Sequence, residues 1–376
     1  MRIIVAPQEY KGTLTAEEAA AAIAEGTSRA VPDAAVETVA MPDGGPGTVR
    51  AVASVTGGER RVSRVQGPLG RPVDAEWALL PGGTAIIEMA AASGLTLLAE
   101  DERDARVTTT RGVGELVLAA LDAGAGRLII GLGGSATNDG GAGMAAALGA
   151  RLLDAGGDEV APGGAALARL ERIDAGRIDP RIAGVDVTGA SDVTNTLCGP
   201  DGASLVYGPQ KGASLEAAHE LDAALENYAR VIDRDLGLAV RDVPGAGAAG
   251  GLGAGIIAFL GAEIRPGIDV VAEVVRLRER LDGADLLITG EGRLDSQTRY
   301  GKTVAGVARL AAEAGVPVIV VPGALGQGWE WALSVAAAVE PVVGGHAVAL
   351  PAPSAAADRL SETAERAVKR WLPASG

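Results

Sequence analysis

Any chemistry in this 376-residue chain must come from carboxylates, lysines, hydroxyls and backbone N–H groups, because it holds only two histidines and one cysteine. That is too few for a zinc centre of ordinary composition, and Cys198 has no histidine near it in sequence to make it a nucleophile. His219 and His346 also lack ligand partners in sequence and read as structural or surface residues. The remaining reactive groups gather in short polar turns that follow apolar runs. The most distinctive is Leu128–Gly143, LIIGLGGSATNDGGAG. There a strand runs into Gly131, Gly133 and Gly134, then Ser135, Thr137, Asn138 and Asp139, then a helix. Glycines let a backbone turn tightly and approach a ligand, and a helix N-terminus offers N–H groups to an anion. This pattern suits phosphate without a Walker lysine; the alternative is a turn that only permits strand–helix packing.

Four further turns carry candidate groups. Asp43-Gly44-Gly45 follows a predicted strand, and Asp43 either faces a ligand or caps the turn. Ser191–Asn195 ends another strand, where Asp192 could accept a proton from a hydroxyl or bind Mg²⁺ beside Asn195. In Gly208-Pro209-Gln210-Lys211-Gly212 a lysine framed by helix breakers suits a phosphate or carboxylate, or is simply solvated. Glu291, Arg293 and Asp295 share the turn Gly290–Asp295, and Mg²⁺ takes few carboxylates together with substrate phosphates. Together these turns describe a site for Mg²⁺, polyphosphate and a small acceptor. That is phosphoryl transfer, which relies on positioning and electrostatics more than on covalent chemistry.

The elements that must position these turns alternate in type. Ile3–Ala6 reads as a strand, Thr15–Ala30 as an Ala-rich helix with Thr15 as N-cap and Glu17 and Glu18 in its first turn, and Ala35–Ala40 as a second strand. Asp285–Thr289, Thr303–Ala314 and Val316–Val321 repeat the strand–helix–strand logic near the other end. In open parallel sheets ligands sit in the loops after the strands. Between these stretches, strands at Ala85–Met89, Arg127–Gly131 and Val185–Gly189 alternate with helices at Gly112–Ala123, Ala142–Asp154 and Leu215–Asp235. The expected class is α/β. A Rossmann-like, flavodoxin-like domain is built from residues 1–66 with 285–376, and 67–284 form an inserted α/β domain. A closing surface helix is expected over Ser354–Trp371.

Composition excludes several classes. Hydrophobic residues make up 48% against 2% aromatic, so the core is aliphatic, and 55 glycines are about twice the usual share of ~7%. A net charge of −15 argues against nucleic acid as partner. The N-terminal apolar run is too short for a signal peptide, and no stretch reaches the roughly 18 apolar residues that span a bilayer. With a free thiol, this points to the cytoplasm and to no membrane partner.

Nearly the whole chain resembles the type I glycerate kinases, which transfer phosphate from ATP to the 2-hydroxyl of D-glycerate. The resemblance rests on Lys11-Gly12, Asp43-Gly44-Gly45, Glu88–Leu95 (EMAAASGL), Thr108–Thr110, Gly131–Gly141 (GLGGSATNDGG), Gly208–Gly212 (GPQKG), Pro244–Gly251 (PGAGAAGG) and Thr289–Asp295 (TGEGRLD). It implies the Rossmann-like plus inserted architecture with the active site in the cleft between, and ATP and Mg²⁺ as cofactors. Carried over, Asp192 is the expected base or metal-orienting carboxylate, and Lys11 and Lys211 neutralise phosphate or substrate charge. Gly133, Gly134, Ser135, Asn138, Asp139 and Gln210 would hold nucleotide phosphates. Gln8, Glu9, Asp43, Gly44, Gly45, Asn195 and Arg293 would meet the acceptor, and Glu291 and Asp295 would bind Mg²⁺ or orient the acceptor.

Three turns depart from the family pattern. Asp-Ser-Phe-Lys-Gly is replaced by Gln8-Glu9-Tyr10-Lys11-Gly12, Asp-Gly-Gly-Glu-Gly-Thr by Asp43-Gly44-Gly45-Pro46-Gly47-Thr48, and Cys-Asp-Val-Asp-Asn-Pro by Ser191-Asp192-Val193-Thr194-Asn195-Thr196. The phosphate and metal turns are intact. The expectation is therefore a monomeric or homodimeric kinase for a small hydroxy acid or polyol whose acceptor pocket differs from that of a glycerate enzyme. Plain glycerate phosphorylation and a non-catalytic ligand-binding homologue are the alternatives. An NAD-dependent oxidoreductase is disfavoured because Ala6–Gly12 lacks GxGxxG.

Overall fold

The computed structural model describes residues 1–298, 303–343 and 353–372. It divides into two compact units. The first comprises Met1–Asp43, Ser54–Thr56 and Gly267–Gly376, and the second Gly44–Ala53 and Gly57–Pro266.

The first unit is organised by three short aliphatic inner strands that bury on both faces, as strands of a covered parallel sheet must. Its five strands run in the order Ala338–Val339, Val318–Val320, Leu286–Thr289, Arg2–Val5, Ala35–Thr38, all parallel. Numbered along the chain this is 2-1-3-4-5, the flavodoxin-like order. Ile3 is in register with Leu286 on one side and Val36 on the other. Ile3, Val5, Leu286, Ile288 and Ile319 are fully buried, each contributing about 1.5–3 kcal/mol. Helix Ala16–Ala30 starts in a capping box in which the Glu18 amide donates to Thr15 Oγ1 at 3.2 Å and the Thr15 amide to Glu18 Oε2 at 2.8 Å. It lies against the closing helix, Pro353–Trp371, so tightly that a Cβ on Gly26 would stand 1.9 Å from the Ser361 carbonyl oxygen.

The second unit holds a six-stranded sheet in the order Glu263–Arg265, Asp186–Ala190, Arg127–Gly131, Thr84–Glu88, Pro72–Leu80, Glu59–Gln66. The first four are parallel; the last two form an antiparallel hairpin at the edge, paired from Glu59 with Leu79 to Gln66 with Pro72. Arg60, Arg61 and Arg64 on that edge strand discourage further pairing. One aliphatic core joins the sheet to helices Arg111–Asp122, Leu215–Leu236 and Leu252–Leu260.

The expected strands and helices lie within two or three residues of their predicted bounds, with one exception. The helix expected over Ala142–Asp154 stops at Ala147, and Arg151–Leu153 is instead a strand paired antiparallel with Arg172–Asp174. The chain turns at Gly149, whose φ of +108° breaks the helix and whose hydrogen lies against Arg177; a Cβ there would be 2.2 Å from the Arg177 carbonyl oxygen. No helix among the described residues is long and apolar enough to cross a membrane.

Candidate active site

The first unit's sheet changes direction of winding between Arg2–Val5 and Leu286–Thr289, and ligands of such sheets bind outside the carboxyl ends of the strands at that point. The turns leaving those two strands are Ala6–Gly12 and Gly290–Asp295. They are laced together: the Gln8 amide donates to the Gly290 carbonyl at 2.9 Å, and a Cβ on Gly292 would lie 3.1 Å from the Lys11 nitrogen. Tyr10, fully buried, anchors the first turn by donating its hydroxyl to the Val321 carbonyl. Burial and then the Glu291 charge push its phenol well above the ordinary tyrosine range.

On this frame the Gln8 side chain, 5% exposed, donates Nε2 to Asp43 Oδ2 at 2.7 Å. Glu9 is half-buried next to them. Burial raises its pKa, Lys11 works in the opposite direction, and Asp43 adds to the rise. Lys11 itself is exposed. Glu291 is buried, and its turn is pinned to the following segment by the Gly323 amide on the Glu291 carbonyl and the Gly326 amide on the Leu294 carbonyl. Arg293 is exposed with Nε 4.0 Å from Asp295 Oδ2, while Asp295 Oδ1 caps the Gln297 amide at 2.8 Å. The structure thus brings Gln8, Glu9, Lys11, Asp43, Glu291, Arg293 and Asp295 to one end of one sheet. Among the described residues no three or more His, Cys, Asp or Glu side chains form a metal cage. Two carboxylates on one turn fit an ion that arrives with phosphates.

The second unit's Gly-rich loop is built differently. Its glycines admit backbone rather than open space: a Cβ on Gly131 would be 2.3 Å from the Gly44 oxygen, and one on Gly133 2.8 Å from Gly45 Cα. Gly44 and Gly45 therefore pack on the loop. The Leu95 amide donates to the Gly134 carbonyl and the Ala136 amide to the Ser93 carbonyl, which docks EMAAASGL on its other side. Gly134 is exposed, Gly133 partly so, and Ser135 is 6% exposed.

Behind them the loop is closed by its own acid. Asp139, fully buried, accepts hydrogen bonds from the Thr110 amide at 2.8 Å, Thr110 Oγ1 at 3.0 Å, and the Gly141 and Gly143 amides at 3.2 Å each. The helix N-terminus expected to meet a ligand anion meets Asp139 instead. Burial, the largest influence, raises the pKa of Asp139 against those four donors. Asn138 is also fully buried and donates Nδ2 to Ser204 Oγ at 2.9 Å.

Lys211, 2% exposed, points inward and donates Nζ to the Thr137 carbonyl at 2.8 Å, whereas its neighbour Gln210 is exposed. Burial brings the Lys211 pKa down to about 7, with Asp139 pulling the other way. Asp192 is half-buried just past strand Asp186–Ala190. Asn195 is held inside its own loop, giving Nδ2 to the Asp201 carbonyl at 2.7 Å and accepting from the Tyr207 hydroxyl at 2.9 Å. Cys198 is buried, its thiol pushed up to about 12 chiefly by desolvation, which makes it inert. His219 lies exposed on helix Leu215–Leu236, and His346 lies outside the described residues.

Sequence reasoning did not single out Thr110 or Glu88. Glu88 is mostly buried and accepts the Val49 amide at 2.7 Å, near the start of helix Thr48–Thr56. Both lie in recognisable motifs, but nothing in one sequence tells which member of a motif closes a turn.

Comparison with known proteins places the chain. The model of the family described as "Glycerate kinase family" matches residues 3–372. The glycerate 2-kinase of Escherichia coli K12 is 51% identical over 326 residues, covering 86% of each chain. The glycerate kinase of Halalkalibacterium halodurans is 50% identical over 329 residues, covering 87% of each. The crystal structure described as "putative glycerate kinase 2" from Salmonella typhimurium LT2 superposes with a TM-score of 0.88 at 46% identity, covering 98% of this chain and 97% of that one.

Proposed function

Because the chain belongs to the glycerate kinase family, and is thus a phosphotransferase acting on a hydroxyl group, we propose that it moves the γ-phosphate of ATP to a small hydroxy acid or polyol related to glycerate, with its acceptor preference shifted from glycerate itself. The observation that carries the shift is the Gln8–Asp43 hydrogen bond beside a half-buried Glu9. An ionised Asp, the type the resembling motif has at the first of these positions, accepts only; the Gln8 amide donates, occupying one Asp43 oxygen. Glu9 then adds a second acid next to Asp43. A substrate carboxylate is repelled by that pair, while a hydroxyl or an amine is welcomed. Sites that hydrogen-bond a particular group discriminate strongly against substrates that leave it unpaired.

In this reading Gly133, Gly134 and Ser135 hold nucleotide phosphates, Lys11 offsets charge, and Asp192 takes the acceptor proton. Glu291 and Asp295 would hold Mg²⁺ together with the nucleotide, and the ion would neutralise charge on the transferring phosphoryl group. The enzyme acts in the cytoplasm as a monomer or homodimer. Plain D-glycerate 2-phosphorylation is the second reading, favoured by the 51% identity to a glycerate 2-kinase.

A panel of hydroxy acids and polyols, run on wild type beside a Gln8→Asp, Glu9→Ser, Pro46→Glu triple variant, separates the two. The shift predicts a change of roughly 10–100-fold in the kcat/KM of D-glycerate relative to the best acceptor. Equal turnover of D-glycerate by both proteins rules the shift out, and no turnover of any acceptor by either rules out catalysis.

A further inference from the structure

We propose that Lys211 is a positioning residue for phosphoryl transfer: from inside the second unit its side chain, with Asp139, holds the Gly131–Gly141 loop in the shape that presents Gly133, Gly134 and Ser135 to the nucleotide. The proposal rests on the reading that this loop binds nucleotide phosphates.

The geometry is that of a brace rather than a ligand. Lys211 is among the largest fully buried side chains, and its Nζ is committed to the Thr137 carbonyl at 2.8 Å. Two residues further along, Asp139 gathers four donors from Thr110, Gly141 and Gly143. The Thr137 carbonyl is thus held by a cation, and an acid two residues on closes the turn. The backbone of Gly250 packs on the same oxygen, since a Cβ there would be 1.9 Å from it.

The surrounding interior is polar and incompletely paired. Thr137 Oγ1, Asn138 Oδ1 and the Tyr228 hydroxyl have no hydrogen-bond partner among the described protein groups. Such a cluster holds one shape only while its strongest bonds persist, and those are the four donors on Asp139 and the Lys211 Nζ bond. The charged or titratable groups facing Lys211 and its loop are Asp139 and Tyr228 on helix Leu215–Leu236, whose ring packs on Gly140. Tyr228 is pushed far above neutral pH by burial, so it does not titrate near pH 7; Lys211 does, at about 7. Opening the loop would return Lys211 to water and its pKa toward the ordinary lysine range, so the closed loop should tighten as pH rises through neutrality.

Hydrogen exchange by mass spectrometry, paired with steady-state kinetics, tests this on the full chain. In Lys211→Met, which keeps the apolar stem, amides of 131–141 should exchange at least tenfold faster while strand Asp186–Ala190 is unchanged. The KM for ATP should rise about tenfold, with the acceptor KM within twofold of wild type. Wild-type loop exchange, corrected for intrinsic chemistry, should fall between about pH 6 and 8, and that fall should vanish in the variant. Wild-type loop exchange and ATP KM in Lys211→Met would overturn the proposal. If the variant does not fold, the wild-type pH series alone decides, and a flat corrected profile overturns it. A non-hydrolysable ATP analogue reads the premise separately. If the analogue fails to protect Gly133–Ser135 while Lys211→Met still loosens the loop, the nucleotide assignment fails and the brace stands.

Discussion

The two sets of motif residues are built on opposite principles. At the end of the first unit's sheet, Glu9, Lys11, Asp43, Arg293 and Asp295 are half-buried or exposed, on turns whose backbones are held by amide–carbonyl bonds and by Tyr10. There the backbone does the holding, and these side chains stay at least partly accessible. In the second unit's loop the roles reverse. Asn138, Asp139 and Lys211 are fully buried and hold the backbone, leaving Gly133 and Gly134 as the accessible part of the loop. A reactive residue type in a motif is therefore not by itself a contact. Its burial and its existing partners decide whether it touches substrate or supports what does.

The largest expected effect comes from removing the second unit's internal acid. Asp139→Ala leaves four donors without an acceptor and Lys211 without its counter-charge, and should cost about 3–5 kcal/mol in urea unfolding. A melt equal to wild type would break the comparison. A smaller contrast sets two left-handed glycines against each other. Gly250→Ala drives a Cβ into the Thr137 carbonyl and should lose more than 2 kcal/mol, whereas Gly12→Ala, with open space around it, should lose only the backbone strain of about 1 kcal/mol.

The smallest effect is in the sign of pH dependence. Lys211 has its pKa lowered on folding, so between about 7 and the ordinary lysine range the unfolded chain binds a proton the native one lacks; stability rises with pH there. Glu9 has its pKa raised, so the native state holds the extra proton just above the ordinary carboxylate range and stability falls as pH rises through it. Thermal melts of Lys211→Met and Glu9→Gln across pH 4–10 should each erase one limb. Erasure of the same limb by both would contradict the assignment.

Much of this was legible beforehand because it depends on local pattern. The β-branched runs bounded by glycine and proline, and Thr15 with Glu18 three residues on, fix strands and a helix start without reference to the rest of the chain. The Glu59–Gln66 and Pro72–Leu80 hairpin carries no clear strand signal, because ERRVSRVQ has charges where a buried strand has apolar residues, as an edge strand allows. The run from Ala142 reads as one long helix because alanines favour helix, whereas the turn at Gly149 answers to a distant carbonyl. The same limit applies to the site. That a glycine faces another backbone rather than a ligand, or that Lys211 turns inward, is set by partners dozens of residues away.

An inner strand of the first unit, Arg2–Val5, takes its hydrogen-bonded neighbour on one side from residues 283 positions later. At synthesis rates of about 5–20 residues per second, that gap is roughly 15–60 s during which the strand has Ala35–Thr38 beside it and no partner opposite. The second unit, encoded wholly within the gap, can close its own sheet in that interval. Until then the native partner of that strand edge does not exist, and an uncovered strand edge is the kind of surface that invites off-pathway pairing during synthesis.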